Sequence, residues 1–312
     1  MAQTRTSGRI SEATIMDSYG VLMKSFTRHL QAENKSPATI ETYLQAVREL
    51  GAFLAEKGMP TEPEHIAREH IETFLIDLQS RSKPGTVSTR FRGLQQFFKW
   101  LVEEGETSRD PMERMKRPMT SDEEATPILT EAQIRKLLKI CDAKDFLGLR
   151  DTAIIRLLLD SGMRRNELAA LKVEDVDWDI NACIVMGKGR RPRACPFGPK
   201  TERALDRYLR IRVKHHHADS AALWIGRTGP ITPSGVYQIV RDRAVQAGIG
   251  AVHPHMFRHT YAHEFRMNGG GEDDLMVLGG WRSRTMLGRY GKSAATERAR
   301  EAHRRFSPGE KF

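Results

Sequence analysis

Residues 107–127 interrupt the apolar periodicity of the chain and constrain its fold more than any other stretch. They contain three prolines and charges of both signs, and proline interrupts helices and strands. The stretch therefore predicts a linker between two domains, each of which can have its own core in a chain of 312 residues. We expect a first domain over residues 16–106 and a second over residues 128–312. Residues 1–15 show no periodicity and are expected to be disordered.

The first domain is predicted to be entirely helical, because its apolar residues recur every three or four positions. Ser36 and Pro37 form a typical helix start, a capping side chain followed by proline in the first turn. The four predicted helices cover residues 19–30, 37–57, 71–78 and 83–104.

A cluster of basic residues begins just before the fourth predicted helix and continues along it, in a domain that is otherwise slightly acidic. No acidic residue lies between the first and the last member of this cluster. Arginine and lysine are common donors to the phosphates of nucleic acids, although such a cluster is also compatible with an ordinary solvated face. The candidate DNA-binding residues are Arg81, Lys83, Arg90, Arg92 and Lys99.

The second domain combines helical periodicity with a region of strand-like sequence. A capping-box pattern at Thr130 and Gln133 marks its first helix. Residues 173–197 predict short strands, with Lys188 between two glycines in a hairpin turn. The fold class is therefore expected to be mainly α, with a small antiparallel β-sheet in the second domain. The helices of this domain are expected at residues 134–140, 150–160, 200–212 and 234–247.

The positive charge of the chain is confined to its second part. Residues 1–126 contain 17 Lys and Arg against 19 Asp and Glu, which gives a net charge of −2. Residues 127–312 contain 33 against 21, which gives a net charge of +12. An excess of this kind favours a polyanionic partner, and nucleic acid is the first candidate.

Several other classes of protein are disfavoured by the composition. No apolar run reaches the length of a membrane span, and the first residues lack the apolar core of a signal peptide. The three cysteines, Cys141, Cys183 and Cys195, are far apart and indicate free thiols in a reducing compartment. We therefore expect a cytoplasmic protein that has no membrane span, no disulfide framework and no zinc site.

Seven residues of the second domain have side chains suited to attack on a phosphodiester. Two guanidiniums can neutralise the charge that builds on the non-bridging phosphate oxygens. A tyrosine can act as the nucleophile if positive charge or a proton acceptor assists it. Two pairs, Arg164 with Glu167 and His255 with Arg258, are three residues apart and can each face one site. The candidate catalytic residues are Arg164, Glu167, Lys188, His255, Arg258, Trp281 and Tyr290.

In order and spacing, these residues resemble those of the tyrosine site-specific recombinases, the phage-integrase family. The resemblance extends over residues 17–305 and rests on stretches that read SPATIETYL, FFKWLVEEG, SGMRRNE, GKG, HMFRHTYA, LGGW and a terminal RY. It implies a helical, SAM-like core-binding domain, followed by a mixed α/β catalytic domain with a C-terminal tail helix. The implied reaction is site-specific cleavage and rejoining of double-stranded DNA through a 3′-phosphotyrosyl intermediate, without metal, ATP or another cofactor.

The resemblance also implies a role for each reacting group. Tyr290 is expected to be the nucleophile, His255 the assisting proton acceptor, and Lys188 the general acid that protonates the departing 5′-oxygen. Arg164 and Arg258 are expected to bind the phosphate.

Two further positions support these groups. Glu167 is expected to orient Arg164. Trp281 stands where most members of the family have a histidine, and an indole cannot transfer protons. We therefore expect Trp281 to have a positioning role.

The resemblance further implies a homotetramer on two paired sites, in which a related recombinase could replace some copies. Such an enzyme would act at the nucleoid. Because the core-binding helices begin close to the first residue, we expect simple recombination sites and no additional arm-binding domain. A narrow apolar stripe in the tail is expected to contact a neighbouring subunit and consists of Ala295, Ala299, Ala302 and Phe306.

Alternative interpretations remain at this point. A type IB topoisomerase would use the same chemistry, and a DNA-binding protein without catalytic activity would share the charge. His255, His259 and His263 are spaced for one helix face, but they lack the glutamate of a His-Glu-x-x-His zinc site. His259 is therefore expected to be structural, and Tyr261 to pack in the core.

Overall fold

The computed structural model of this chain describes residues 12–119, 127–187, 192–281, 283–288, 299–300, 303–304 and 307–311. Contacts divide the chain into two compact units, the first ending at residue 123 and the second beginning at residue 124. None of the described helices is both long enough and apolar enough to cross a bilayer.

The first unit is helical throughout its described part. Its α-helices are α1 (Glu12–Ala32), α2 (Pro37–Glu56), α3 (Arg68–Arg81) and α4 (Pro84–Glu103), with one 3₁₀ turn at Pro63–His65. The predicted start of α2 is confirmed, because the Ser36 hydroxyl accepts a hydrogen bond from the Thr39 amide and Pro37 is the first helical residue. The core is aromatic at its centre, where Phe26 packs edge-on against Phe97 and at a tilted angle against Trp100.

Two boundaries differ from the sequence-based expectation. Helix α1 begins at Glu12, inside the segment expected to be disordered, because Glu and Ala extend a helix readily once a packed turn follows. Part of the expected linker folds onto the first unit. Met112 is fully buried in the aromatic core, Met115 packs against it, and the Arg117 guanidinium donates to the Ser88 hydroxyl. A proline-rich segment without periodicity can therefore still bury individual apolar side chains.

The second unit combines eight described helices with two small sheets. Its α-helices are α5 (Glu131–Ile140), α6 (Phe146–Ser161), α7 (Arg165–Ala170), α8 (Pro199–Arg212), α9 (Pro233–Gln246), α10 (Pro254–Met267), α11 (Glu272–Gly279) and α12 (Arg284–Gly288). Its strands are β1 (Val176–Asp177), β2 (Ala182–Met186), β3 (Pro192–Pro196), β4 (Ile225–Gly226) and β5 (Gly229–Pro230). The predicted fold class, mainly α with small antiparallel sheets, is confirmed.

Strands β1, β2 and β3 form one antiparallel sheet in that order. The β2–β3 pairing runs from Ala182 opposite Pro196 to Met186 opposite Pro192. The segment that connects these two strands contains Lys188, which lies outside the described residues. Of the expected tail helix, residues 299–300 and 303–304 are helical and exposed, whereas Ala295, Ala302 and Phe306 lie outside the described part.

Helix α6 is the central helix of the second core and leads directly to the candidate site. Ile154, Ile155 and Leu158 are completely buried in it. The helix ends at Gly162, whose φ of +55° is left-handed and suits glycine. A Cβ atom at this position would lie 2.3 Å from the Tyr261 ring, so the chain turns closely past helix α10.

We expect Gly162→Ala to destabilise the second unit. The left-handed conformation alone costs an L-residue about 1–2 kcal/mol, and the overlap with the ring of Tyr261 adds to this. Gly248→Ala is a matched control, because Gly248 has a φ of +63° but no atom within 4 Å of the added Cβ. Thermal unfolding followed by circular dichroism should show the lower midpoint for Gly162→Ala. Equal midpoints for the two variants would contradict the close packing.

Candidate active site

Arg164 stands at the N-cap of helix α7 and is fixed by the helix that it begins. Its backbone amide donates to one Glu167 oxygen at 2.8 Å, and its side-chain Nη1 donates to the other at 2.8 Å. Its Nη2 donates to the Gly280 carbonyl at 3.2 Å. The side chain is nevertheless 38% exposed. Arg164 is therefore held in place while its guanidinium remains accessible.

Arg258 is buried on helix α10 and joins the ends of two other helices. Its Nη1 donates to the Gly162 carbonyl at 2.7 Å, and its Nη2 donates to the Gly279 carbonyl at 2.6 Å. The guanidinium carbon lies 3.9 Å from the centroid of the Trp281 ring. Such stacking is favourable because the face of an indole attracts a cation. The structure thus brings the predicted residues Arg258 and Trp281 into direct contact.

His255 lies one turn before Arg258 on the same helix and is exposed. Desolvation of its ring and the positive charges of Arg258, His253 and Arg164 lower the pKa of His255. A lowered pKa keeps the imidazole neutral at neutral pH, and only the neutral form can accept a proton.

His259 packs edge-on against His255, with 4.9 Å between the ring centroids. Burial, and then the neighbouring His255, lower the pKa of His259 to about 4. The expectation that Tyr261 packs in the core is confirmed, since this residue is buried beside Trp281 and Leu287. Among the described residues, no three His, Cys, Asp or Glu side chains form a group that could hold a metal ion.

Glu167 is the buried anion of the site. Its side chain is only 8% exposed and accepts hydrogen bonds from the backbone and side chain of Arg164 and from two nitrogens of Arg193. Burial alone would raise the pKa of Glu167, but the hydrogen bonds from Arg193 and Arg164 lower it to about 2. Glu167 is therefore ionised throughout the physiological range.

Sequence reasoning missed Arg193, which lies on strand β3. Its side chain is 11% exposed and also donates from Nε to the Leu278 carbonyl at 3.0 Å. A signal was present in the strand pattern, because Arg193 shares a strand face with the fully buried Cys195. A cation on a buried face requires a buried anion, and Glu167 is that anion.

The last turn of helix α11 connects all three arginines. Arg193, Arg258 and Arg164 bind the carbonyls of Leu278, Gly279 and Gly280 in turn. Helix C-termini carry partial negative charge and unpaired carbonyls, so cations are favourable there. Glycine is needed at this turn, because a Cβ at Gly279 would lie 1.7 Å from the Trp281 ring and Gly280 has a φ of +62°.

Two predicted catalytic residues, Lys188 and Tyr290, lie outside the described residues. The other five are described. The hydrogen bonds and stacking above connect Arg164, Glu167, Arg258 and Trp281 around the α11 turn, and His255 lies one helical turn from Arg258.

The candidate DNA-binding residues fall into two groups. Four are exposed on α3, α4 or the connection between them: Arg81 with an ion pair to Asp77, Lys99 with one to Glu103, and Lys83 and Arg92. Arg90 does not share this exposed surface. Its guanidinium is buried and binds both oxygens of Glu49, at 2.7 and 2.9 Å, so it is an internal ion pair of the first unit.

Both parts of the chain are similar to known proteins of one family. Residues 127–297 match the phage integrase family, and residues 22–105 match the N-terminal SAM-like domain of phage integrases. The tyrosine recombinase XerC of Bacillus pumilus (strain SAFR-032) is 31% identical over 250 residues, which are 77% of this chain and 81% of that protein.

Two solved structures share the fold at low sequence identity. The XerH site-specific recombinase, bound to a palindromic difH substrate in a post-cleavage complex, has a TM-score of 0.74 at 17% identity. The comparison covers 94% of this chain and 84% of that one. A lambda integrase tetramer bound to a Holliday junction has a TM-score of 0.66 at 15% identity, covering 90% and 83% of the two chains.

The chain therefore belongs to the phage integrase family and is a tyrosine recombinase. The resemblance inferred from the sequence motifs is confirmed.

We expect Arg90→Met to lower the stability of the first unit by about 1–3 kcal/mol, because it leaves the half-buried Glu49 carboxylate without its cationic partner. Arg92→Met, two residues away on the exposed face of the same helix, should have an effect near zero. Urea unfolding of the two variants measures the difference. Similar stabilities would show that the Arg90 pair contributes nothing to the fold.

Proposed function

We propose that this tyrosine recombinase cleaves and rejoins double-stranded DNA at specific sites, with Tyr290 as the nucleophile. The observation that supports the proposal most strongly is the pair Arg164 and Arg258, held by adjacent carbonyls of one turn. Two fixed guanidiniums can bind the two non-bridging oxygens of one phosphate and stabilise the charge that builds there during attack.

The proposed reaction is a balanced exchange of phosphate esters. The Tyr290 oxygen forms a bond to phosphorus, and the bond from phosphorus to the 5′-oxygen breaks. His255 accepts the tyrosine proton, and Lys188 donates a proton to the departing 5′-oxygen. A 5′-hydroxyl of a partner strand then attacks the phosphotyrosine and restores a phosphodiester. One ester replaces another at each step, so the scheme as written uses neither ATP nor a metal.

His255 and Trp281 take different parts in this scheme. The lowered pKa of His255 supports its role as proton acceptor. Trp281 lies against the Arg258 guanidinium, which supports a role in positioning that arginine. An indole cannot transfer a proton, so the proton of Tyr290 is assigned to His255.

We also propose that the first unit contacts DNA phosphates through Arg81, Lys83, Arg92 and Lys99. All four are exposed, and Arg81 and Lys99 remain so although they pair with Asp77 and Glu103. XerH and lambda integrase, which share the fold, are bound to DNA in their structures. Phosphate contacts release counterions, so the affinity for DNA should fall steeply as salt rises.

The active assembly is proposed to be a tetramer on two paired sites, made of this chain alone or with a related recombinase. The lambda integrase tetramer on a Holliday junction supports this assembly. An enzyme with this substrate would act on the nucleoid in the cytoplasm.

The nucleophile is tested by replacing Tyr290 with phenylalanine. Wild-type protein is incubated with sheared genomic DNA of its host, and the duplexes that become covalently attached are sequenced to define the site. On a nicked duplex carrying that site, wild type should form an adduct that survives denaturation, whereas Tyr290→Phe should bind without forming one.

Tyr261→Phe is the matched control for this experiment, because Tyr261 is buried in the core and should not be needed for attack. It should form the adduct at the wild-type rate. An adduct formed by Tyr290→Phe, or lost in Tyr261→Phe, would overturn the assignment.

The general acid is tested with a substrate whose 5′-bridging oxygen is replaced by sulfur. A thiolate leaves without protonation, whereas an alkoxide does not, so Lys188→Ala should be slowed by about 100-fold or more on the oxygen substrate and little on the sulfur substrate. His255→Ala should be slowed on both, because it acts on the attacking group. Equal losses for Lys188→Ala on both substrates would exclude Lys188 as the acid.

A further inference from the structure

Arg193 contacts both Glu167 and the last turn of helix α11. Its Nη1 and Nη2 bind the two oxygens of Glu167 at 2.9 and 2.8 Å. Its Nε binds the Leu278 carbonyl at 3.0 Å. All three nitrogens of the guanidinium therefore donate to buried partners. The side chain is only 11% exposed and offers little surface that a substrate could contact.

These contacts close a ring of hydrogen bonds. Arg193 binds Glu167, Glu167 binds Arg164, and Arg164 binds the Gly280 carbonyl, two residues after the Leu278 carbonyl that Arg193 holds. A Cβ at Gly280 would lie 3.2 Å from the Arg193 guanidinium, so the turn also packs directly on this side chain. The ring fixes the turn whose middle carbonyl, that of Gly279, binds Arg258.

The net charge of this ring also depends on Arg193. Glu167 alone would neutralise Arg164, because an ionised carboxylate at 2.8 Å offsets one guanidinium. Arg193 supplies a second positive charge to the same carboxylate at 2.8 Å. The three groups together then keep a net charge of +1, and the exposed part of that charge is on Arg164.

On the basis of the proposed function, we propose that Arg193 is a positioning residue for DNA cleavage. It occupies both oxygens of Glu167 and holds the turn at residues 278–280. It thereby keeps Arg164 and Arg258 in place around the scissile phosphate and leaves a net positive charge at Arg164. Arg193 also belongs to strand β3, which begins four residues after Lys188 in the chain. The same side chain thus anchors a strand that is close in sequence to the proposed general acid.

The test compares three variants in single-turnover cleavage, at saturating protein and at a temperature where circular dichroism shows each variant to be folded. Arg193→Met removes the charge and every hydrogen bond. Arg193→Lys keeps the charge but cannot bind two carboxylate oxygens and a carbonyl together. Arg243→Met is the matched control, because Arg243 is also a largely buried arginine that binds a carboxylate, that of Asp151, at 2.8 Å.

Each protein is given two substrates, both nicked duplexes that carry the site recovered as a covalent adduct of wild type. One has the natural phosphate at the scissile position. The other has a methylphosphonate, in which a methyl group replaces one charged oxygen. A neutral phosphonate needs less compensation by arginines, so a variant whose arginines are misplaced should be impaired less on it.

We expect Arg193→Met to cleave the phosphate substrate about 100-fold more slowly than wild type, and to lose at least about 10-fold less on the methylphosphonate. Arg193→Lys should fall between wild type and Arg193→Met on phosphate, with the same reduction of its defect on methylphosphonate. Arg243→Met should match wild type on both substrates.

Equal losses for Arg193→Met on both substrates, or a loss no larger than that of Arg243→Met, would overturn the positioning role. If Arg193→Met does not fold, Arg193→Lys gives the same comparison between substrates. Failure of the proposed function has a different result: wild type would form no Tyr290-dependent adduct on the natural phosphate, whatever residue stands at position 193.

Discussion

The hydrogen bonds between guanidiniums and the carbonyls that end helix α11 are the interactions on which the site depends. Three successive carbonyls, from Leu278 to Gly280, are bound by three different arginines. Unpaired carbonyls at a helix end favour cations, and planar guanidiniums can bind them from several directions at once. The turn thereby determines where positive charge stands before any substrate arrives.

Like charges at short range repel, so a cluster of arginines requires compensation. Glu167 provides one negative charge between Arg164 and Arg193, and the stacking of Trp281 stabilises the buried Arg258. The partners come from α6, α7, β3, α10 and α11, which together span more than a hundred residues of the chain. The site consequently exists only when the whole second unit is folded, and its rigidity is that of the core around it.

The sequence predicted most of the helices and the antiparallel strands, but not helix α11, and its composition was misleading where a polar residue lies on an apolar face. Arg90 lies three residues after Val87 and four before Leu94, both fully buried, so its position on α4 was already that of a core residue. On composition alone, Arg90 belongs to the basic cluster that was expected to be exposed. Its helical spacing from Val87 and Leu94 instead predicts a buried position.

The role of Arg193 was not predicted from the sequence, because its partner Glu167 is 26 positions away. Only the folded sheet and helix α7 bring the two side chains together. Neither the alternation of a short strand nor the spacing of motifs specifies such a pairing. The motifs identified the groups proposed to touch the phosphate, because those recur in a recognisable order. The groups that hold them in place follow from packing and had to be read from the structure.

Trp281 is an example of a residue that is proposed to hold a phosphate-binding group in place and not to react itself. Where most members of the family have a histidine, this chain has a side chain that cannot exchange a proton but lies 3.9 Å from the Arg258 guanidinium carbon. The proposed proton transfer from Tyr290 therefore falls to His255, whose pKa is lowered by desolvation and by the same arginines that are proposed to bind the phosphate. The cationic cluster thus acts twice in the proposed reaction. It compensates the charge of the transition state, and it keeps the nearby imidazole neutral and ready to accept a proton.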